Sequence, residues 1–342
     1  MQVGIVGGSG YGGAELLRLL AAHPVAKVRA IGARRAAGQS VGQVFPSLIG
    51  SAFAGQVLVA SDDPELAECD VVFLATPHGA SLGLAPELLN AGAKVVDLSG
   101  AFRMDAHAFE TWYGEPHPQP SLTPAVYGLP EFHADAIAAA DLVANPGCYP
   151  TAALLALAPL AGLVDPGSVV VSGISGSSGA GKGLRDDLHV SHAHGNAVAY
   201  GAPRHRHTPE IEQHFAVVAG TEPAPVSFTP HLAPMARGMV VTAVAALAKG
   251  VSAQDAAAAF GVYDTQPFVH LLPSGTWPAS TYVLGSNSAH VGVATDERTG
   301  RVTVGVAIDN LVKGAAGQAI QNANLMAGLE AHVGIPAEGV YP

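Results

Sequence analysis

Val3–Val6 is an apolar strand that runs directly into Gly8-x-Gly10-x-x-Gly13, and leucines at 16, 17, 19 and 20 follow at helical spacing. Few arrangements constrain a fold as tightly. Glycines at those positions permit a tight turn, let the backbone approach a pyrophosphate, and bring helix against strand, with the helix N-terminus facing the phosphates. The spacing alone is common; its place between a strand and a helix is what points to a dinucleotide. The same alternation continues. Further strands are predicted at Val28–Ile31, Val71–Leu74, Val95–Asp97 and Leu142–Ala144, with helices at Ala14–Ala22 and Ala80–Ala91, the latter closed by Gly92. Buried strands separated by helices predict a parallel, doubly wound sheet.

The pattern changes after Cys148. Thr151–Ala161 reads as a helix and Val169–Ile174 as a strand followed by a Gly/Ser loop. Residues 183–207 are polar and hold five histidines. Longer β-like runs come next, at Met239–Leu247, His290–Asp296 and Arg301–Ile308, with a helix at Ala253–Phe260 between them and a last helix at Val312–Gly328. Such strands predict an antiparallel or mixed sheet, hence an α+β second domain. A length of 342 residues also favours two domains. The formal net charge of -11 argues against a nucleic-acid partner and against docking on anionic lipid. Two cysteines make no disulfide framework, the chain opens on a strand rather than a leader, and the apolar run Thr151–Val164 is broken by Pro159 and Gly162. A soluble cytoplasmic protein without membrane contact is expected.

The end of the second strand bears on the cofactor. An acidic residue there would bind a ribose 2′-hydroxyl; Arg34 and Arg35 stand there instead and suit a 2′-phosphate, which favours NADP(H). Gly176-Ser-Ser-Gly-Ala-Gly181-Lys182 imitates part of a Walker A loop, but Gly183 occupies the position of the magnesium-binding hydroxyl. A loop lining a cofactor or substrate phosphate is the expectation there.

Asn145-Pro-Gly-Cys148-Tyr-Pro-Thr ends a strand, turns, and starts a helix with Pro150 in its first turn. A thiol at a helix N-terminus meets unpaired N–H groups and the positive dipole end, which favour thiolate. Cys148 is therefore the candidate nucleophile, whereas Cys69 reads as a small buried hydrophobe. In His205-Arg-His207-Thr-Pro-Glu, Thr208 is expected as the cap and Pro209 at the first helical position, with either histidine able to shuttle a proton and Glu210 able to orient one of them. His189, His192 and His194 have neither cysteine partners nor an HExxH helix, so no metal is expected.

These motifs converge. The chain resembles the N-acetyl-gamma-glutamyl-phosphate reductase family, within the wider aspartate-semialdehyde dehydrogenase-like group. The resemblance is carried by GGSGYGGAELLRLL (7–20), ARRAAGQ (33–39), ATPHGAS (75–81), VDLSGAFR (96–103), YGLPE (127–131), NPGCYPTA (145–152), GISGSSGAGK (173–182), RHRHTPEI (204–211), HLAPMARGM (231–239) and IDNLVKGAAGQA (308–319). The family often has LSADFR where this chain has LSGAFR, and a shorter loop near 176–182. The resemblance implies a Rossmann-type α/β domain over 1–147, completed by a C-terminal helix in 312–342, and an α+β catalytic and dimerisation domain over 148–311. It implies reduction of an acyl phosphate to an aldehyde with NADPH, through a thioacyl group on Cys148 and a proton carried by His207 or His205. Cofactor contacts are implied for Gly8, Ser9, Gly10, Tyr11, Gly12, Gly13, Arg34, Arg35, Pro77, His78, Gly79, Ser175, Gly176 and Asn310. Arg103, Arg237 and Asn145 are expected at the substrate, and the assembly is expected to be a homodimer or homotetramer. The alternatives are a reductase for an aminoadipyl phosphate and a non-catalytic nucleotide sensor on a Rossmann scaffold.

Overall fold

The structure is a computed structural model and describes residues 1–340. The chain divides into two compact units. One comprises Met1–Gly147 and Ala315–Ile335; the other comprises Cys148–Gly314 and the chain from Pro336. The sequence reading carried all of 312–342 into the first unit. From Pro336 the chain instead joins the second, where the Asn287 N–H donates to the Pro336 carbonyl at 2.9 Å and the Ser288 hydroxyl to that of Ala337 at 2.5 Å.

The first unit is built on six parallel strands, β1 (Gln2–Val6), β2 (Lys27–Gly32), β3 (Val71–Leu74), β4 (Lys94–Asp97), β5 (Val126–Tyr127) and β6 (Leu142–Ala144), in the order β2-β1-β3-β4-β6-β5. All four residues of β3 are buried, as its unbroken apolar run requires of a strand covered on both faces. The helix Tyr11–Leu20 buries Leu16, Leu17, Leu19 and Leu20, and each such leucine contributes roughly 1.5–3 kcal/mol. The strand order reverses between β1 and β3, and ligands in open α/β sheets bind at such a switch point, beyond the carboxyl ends of the strands. The last helix, Gly317–Met326, packs on the helix Pro130–Ala138 and on β4. Its buried face is rich in amides, and Asn322 donates to the Gly128 carbonyl and to Asn145 Oδ1, both at 3.0 Å.

The second unit holds seven strands: β7 (Val170–Ser175), β8 (Val198–Ala199), β9 (Ser227–Leu232), β10 (Met239–Ala246), β11 (Val269–Leu271), β12 (Ala289–Asp296) and β13 (Arg301–Ile308). They form one mixed sheet in the order β11-β12-β13-β10-β7-β9-β8. The helix Cys148–Leu157 packs on β10 and β13, and every residue of it after Cys148 is buried. Alternation along β10 puts Met239, Val241, Ala243 and Ala245 in the core and leaves Val240, Thr242 and Val244 half-buried on the other face. There Val170 and Ile174 of β7, which pair with Val244 and Val240, are exposed. Among the described residues no helix is long and apolar enough to cross a membrane.

Candidate active site and nucleotide loop

In the first unit, Gly7 makes the turn after β1 with φ +83°, and its N–H and that of Gly8 both donate to the Gly32 carbonyl, at 3.0 and 2.9 Å. A Cβ on Gly8 would stand 2.3 Å from Ile31 Cγ2, and one on Gly13 would stand 2.6 Å from Gly8 Cα. Gly8 thus lets β1 and β2 close on each other, and Gly13 seats the helix on the turn. The helix begins at Gly10, which supplies no side-chain cap. Ser9, Gly10 and Gly12 are half-buried and Tyr11 is exposed, so the turn reaches the surface at the N-terminus of the helix. That cradle fits a pyrophosphate. Arg34 and Arg35 are both exposed just past the end of β2. After β3, Pro77 caps the helix His78–Asn90; the His78 ring lies edge-on to Tyr113, with centroids 4.9 Å apart, and its Nε2 is 3.8 Å from Glu115. Gly79 is exposed.

Arg103 and Asn145 are buried in this unit and serve the main chain. Arg103 Nε donates to the Asn145 carbonyl and its Nη2 to that of Leu98, both at 2.8 Å. Asn145 donates through Nδ2 to Ala315 at 3.2 Å and accepts from Asn322. Through these bonds Arg103 and Asn145 brace the main chain of the segment that leads into Cys148.

In the second unit Cys148 is the first residue of its helix and half-buried. A Cβ on Gly314 would lie 2.7 Å from the Cys148 Cβ, so the backbone of Gly314 packs directly on the stem of Cys148. Cys69, by contrast, is buried, donates to the Glu65 carbonyl at 3.5 Å, and is pushed up to about 11 by burial. Tyr149, His205, His207, Phe228 and Tyr200 form one aromatic cluster. The ring centroids of His205 and His207 are 4.8 Å apart, and those of Tyr149 lie 5.9 Å from His205 and 6.1 Å from His207. The Tyr200 hydroxyl donates to that of Tyr149 at 3.4 Å, which donates to the His231 carbonyl at 3.1 Å. Burial pushes both phenols upward; the neighbouring Cys148 adds to this in each, which places its sulfur within electrostatic reach of the two hydroxyls. Sequence reading missed both tyrosines. Tyr149 was adjacent to the recognised cysteine, whereas Tyr200 sits in a polar stretch with no distinguishing pattern.

His205 is pulled down to about 4, by burial first and by the Arg206 guanidinium second, so it is neutral near pH 7. Its Nδ1 accepts the His207 N–H at 3.1 Å, which puts its own proton on Nε2. The helix Thr208–Ala219 starts differently from the expected cap. His207 is the capping residue, its side chain makes no cap bond to the helix, and Thr208 is already helical. The Thr208 side chain is buried. Glu210 is in the first turn and buried.

The remaining expected cofactor contacts, Ser175, Gly176 and Asn310, also belong to the second unit. The 176–182 loop spends its N–H groups on protein: Gly176 donates to Gly238, Ser177 to Met235 and Ser178 to Ala236. Asn310 accepts from Gly238 at 2.8 Å and donates to Ser178 at 3.0 Å, and the Ser175 hydroxyl donates to the Gly176 carbonyl. The loop is thus braced against residues 235–238 through its first three amides. Arg237 is half-buried, with Nε 2.6 Å from Asp309 Oδ2. That carboxylate also accepts from Gly285 at 2.7 Å and Leu311 at 2.8 Å.

Two family models cover this architecture: the NAD binding domain of semialdehyde dehydrogenase matches residues 2–140, and its dimerisation domain matches residues 148–310. An N-acetyl-gamma-glutamyl-phosphate reductase from Geobacter sp. (strain M21) is 46% identical, with all of both chains covered. The reductase of the same name from Desulforamulus reducens is 44% identical, again over both whole chains. The chain belongs to the N-acetyl-gamma-glutamyl-phosphate reductase family. Among solved structures, aspartate semialdehyde dehydrogenase II from Vibrio cholerae in complex with ASA has a TM-score of 0.74 at 18% identity, covering 96% of this chain and 98% of that one. The reductase family therefore shares its two-domain fold with the aspartate semialdehyde dehydrogenases. Cys148, where the dimerisation-domain match begins, lies in the family's second domain, and the glycine loop lies in its NAD-binding domain.

Proposed function

We propose that this enzyme reduces N-acetyl-L-glutamyl 5-phosphate to N-acetyl-L-glutamate 5-semialdehyde and phosphate with NADPH, an oxidoreductase step of arginine biosynthesis. The observation that carries the mechanism is the half-buried Cys148 at a helix N-terminus, in the same unit as the His205–His207 pair and two phenols. The helix N-terminus favours the thiolate, and His207 takes the thiol proton. Sulfur attacks the acyl carbon, the bond from that carbon to the phosphate oxygen breaks, and phosphate leaves with a proton from water. Bound NADPH supplies a hydride. His207 lends its proton to the oxygen of the reduced carbon and takes it back as the C–S bond breaks, so the aldehyde leaves and the thiolate is restored. His205, neutral at this pH, contributes as a hydrogen-bonding neighbour, and the buried Glu210 in the first turn favours the imidazolium. Arg237, fixed by Asp309, is the candidate for the substrate's anionic groups.

Gly8 to Gly13 and the Pro77–Gly79 turn hold the dinucleotide in this reading, and Arg34 with Arg35 choose NADPH by its 2′-phosphate. A homodimer or homotetramer is supported by the open sheet face with Val170 and Ile174 exposed and by the dimerisation-domain match. A cytoplasmic location fits the two free thiols. The test is the reverse reaction: N-acetyl-L-glutamate 5-semialdehyde, NADP⁺ and phosphate should give NADPH, with no signal when phosphate is omitted. Faster turnover of an aminoadipate semialdehyde would transfer the assignment to lysine biosynthesis.

A further inference from the structure

Arg237 and Asp309 stand at neighbouring strand ends of the second unit. β10 begins at Met239 and β13 ends at Ile308, and those two residues pair directly. Asp309, the next residue along, is fully buried, and both of its carboxylate oxygens are used. Oδ2 accepts from Arg237 Nε at 2.6 Å and from the Gly285 N–H at 2.7 Å. Oδ1 accepts the N–H groups of Leu311 at 2.8 Å and Val312 at 3.2 Å. The Asp309 carbonyl accepts from Gly314 at 2.9 Å, and it is the backbone of Gly314 that packs on the Cys148 Cβ. One carboxylate oxygen thus holds Arg237, while the other oxygen and the carbonyl close the turn that rests on Cys148. The Arg237 side is gripped from a second direction: Gly238 has φ +99°, and a Cβ there would stand 2.9 Å from Ser280 Cβ and 3.1 Å from Leu284 Cδ2. The loop that supplies the Gly285 N–H is pinned in turn by Val340, whose N–H donates to the Leu284 carbonyl at 2.8 Å.

We propose that Asp309 is a positioning residue that joins Arg237 to the turn packed on Cys148, so that the cation meeting the substrate's anionic group and the sulfur attacking its acyl carbon are held as one piece. A buried carboxylate suits this task. Oδ2 fixes the guanidinium by its Nε edge, so the plane of the fork is set as well as the place of its charge. Asparagine cannot do both jobs. An amide has one oxygen, and its NH2 would face either the Leu311 and Val312 N–H groups or the guanidinium and the Gly285 N–H, donor against donor. This inference rests on Arg237 being the group that meets the substrate's anion in the proposed reaction.

Steady-state kinetics of the reverse reaction on the full-length enzyme tests it, with KM read separately for phosphate and for N-acetyl-L-glutamate 5-semialdehyde. Arg237→Ala should raise one of these KM values. Asp309→Asn should raise the same one about tenfold or more, the scale of a charge-assisted hydrogen bond. In the Arg237→Ala background, Asp309→Asn should add less than about twofold to that KM, because residues that act through each other are not additive. Asp309→Asn should also slow alkylation of Cys148 by iodoacetamide about two- to fivefold, the scale of a charge at a helix terminus, as the loosened turn lets the sulfur move off that terminus. The Kd for NADPH should stay within roughly twofold of the parent, since the glycine loop lies in the other unit. Full additivity with Arg237→Ala, an unchanged alkylation rate, or losses that track a fall in melting temperature each overturn the proposal. If Asp309→Asn does not fold, Arg237→Lys decides. Lysine keeps the charge but has no flat fork to seat on Asp309, so KM should rise nearly as far as in Arg237→Ala, and a parental KM overturns the proposal. KM values unaltered by Arg237→Ala would remove the reading of Arg237 and this inference with it, whereas a raised KM there beside parental values in Asp309→Asn removes only the role of Asp309.

Discussion

At the scale of single residues, the site is set by how closely small residues allow others to approach. Gly314 is the sharpest case. With a Cβ at 2.7 Å from that of Cys148, Gly314→Ala forces Cys148 or its turn to move. A displacement on the order of 1 Å at a reacting atom can cost about 10² in rate. Gly314→Ala should therefore lower kcat by about that factor while nucleotide binding, which resides in the other unit, stays near normal; titration beside steady-state kinetics checks it. The two histidines separate at this scale too. His205 is held down to about 4, so across about pH 6–8 it is neutral and cannot produce a titration limb there. His207→Asn should cost about 10²–10⁴ in kcat and remove one limb of the pH–rate profile. His205→Asn should cost less and leave the limbs where they were. A pH profile that loses its limb only in His205→Asn reverses the assignment.

At the scale of elements, the regular alternation of β1, β3, β4 and β6 with helices was readable because each buried strand is a short apolar run bounded by turns. β13 matches its expected bounds, and β10 and β12 differ from theirs by one residue at one end. β9 was missed: Ser227, Thr229, Pro230 and His231 give it no apolar alternation, and neighbours rather than propensity hold it in the sheet. β5 has only two residues and β11 three, too short for a period to register. The expected last helix from Val312 opens as a π turn over Val312–Ala316, a local widening that periodicity does not encode. The candidate site divides in the same way. Cys148 and the histidine pair were legible from local sequence, while Tyr200 and Gly314 act through contacts with residues far along the chain. Nucleotide choice belongs to this scale, since β2 delivers Arg34 and Arg35 as a pair. Replacing both by Ala should weaken NADPH by about tenfold or more and leave NADH nearly unchanged, given roughly 1.5–3 kcal/mol for a charge-assisted contact. Equal losses for both cofactors in a binding titration would deny them the 2′-phosphate.

At the scale of the whole molecule, the mixed sheet presents Val170 and Ile174 exposed, with Val240 and Val244 half-buried beside them. An apolar strip on an open sheet is what a second copy would cover. Ile174→Lys should shift the assembly toward monomer in size-exclusion chromatography with light scattering; an unaltered mass would move the interface elsewhere. The proposed mechanism turns on a covalent step at Cys148, and the most direct measurement is intact-protein and peptide mass spectrometry after mixing the enzyme with N-acetyl-L-glutamyl 5-phosphate in the absence of NADPH. An N-acetylglutamyl adduct is expected on the peptide carrying Cys148, lost on adding NADPH, and none on Cys148→Ser. An enzyme that turns over with no adduct on Cys148, or a Cys148→Ser variant with full activity, would contradict it.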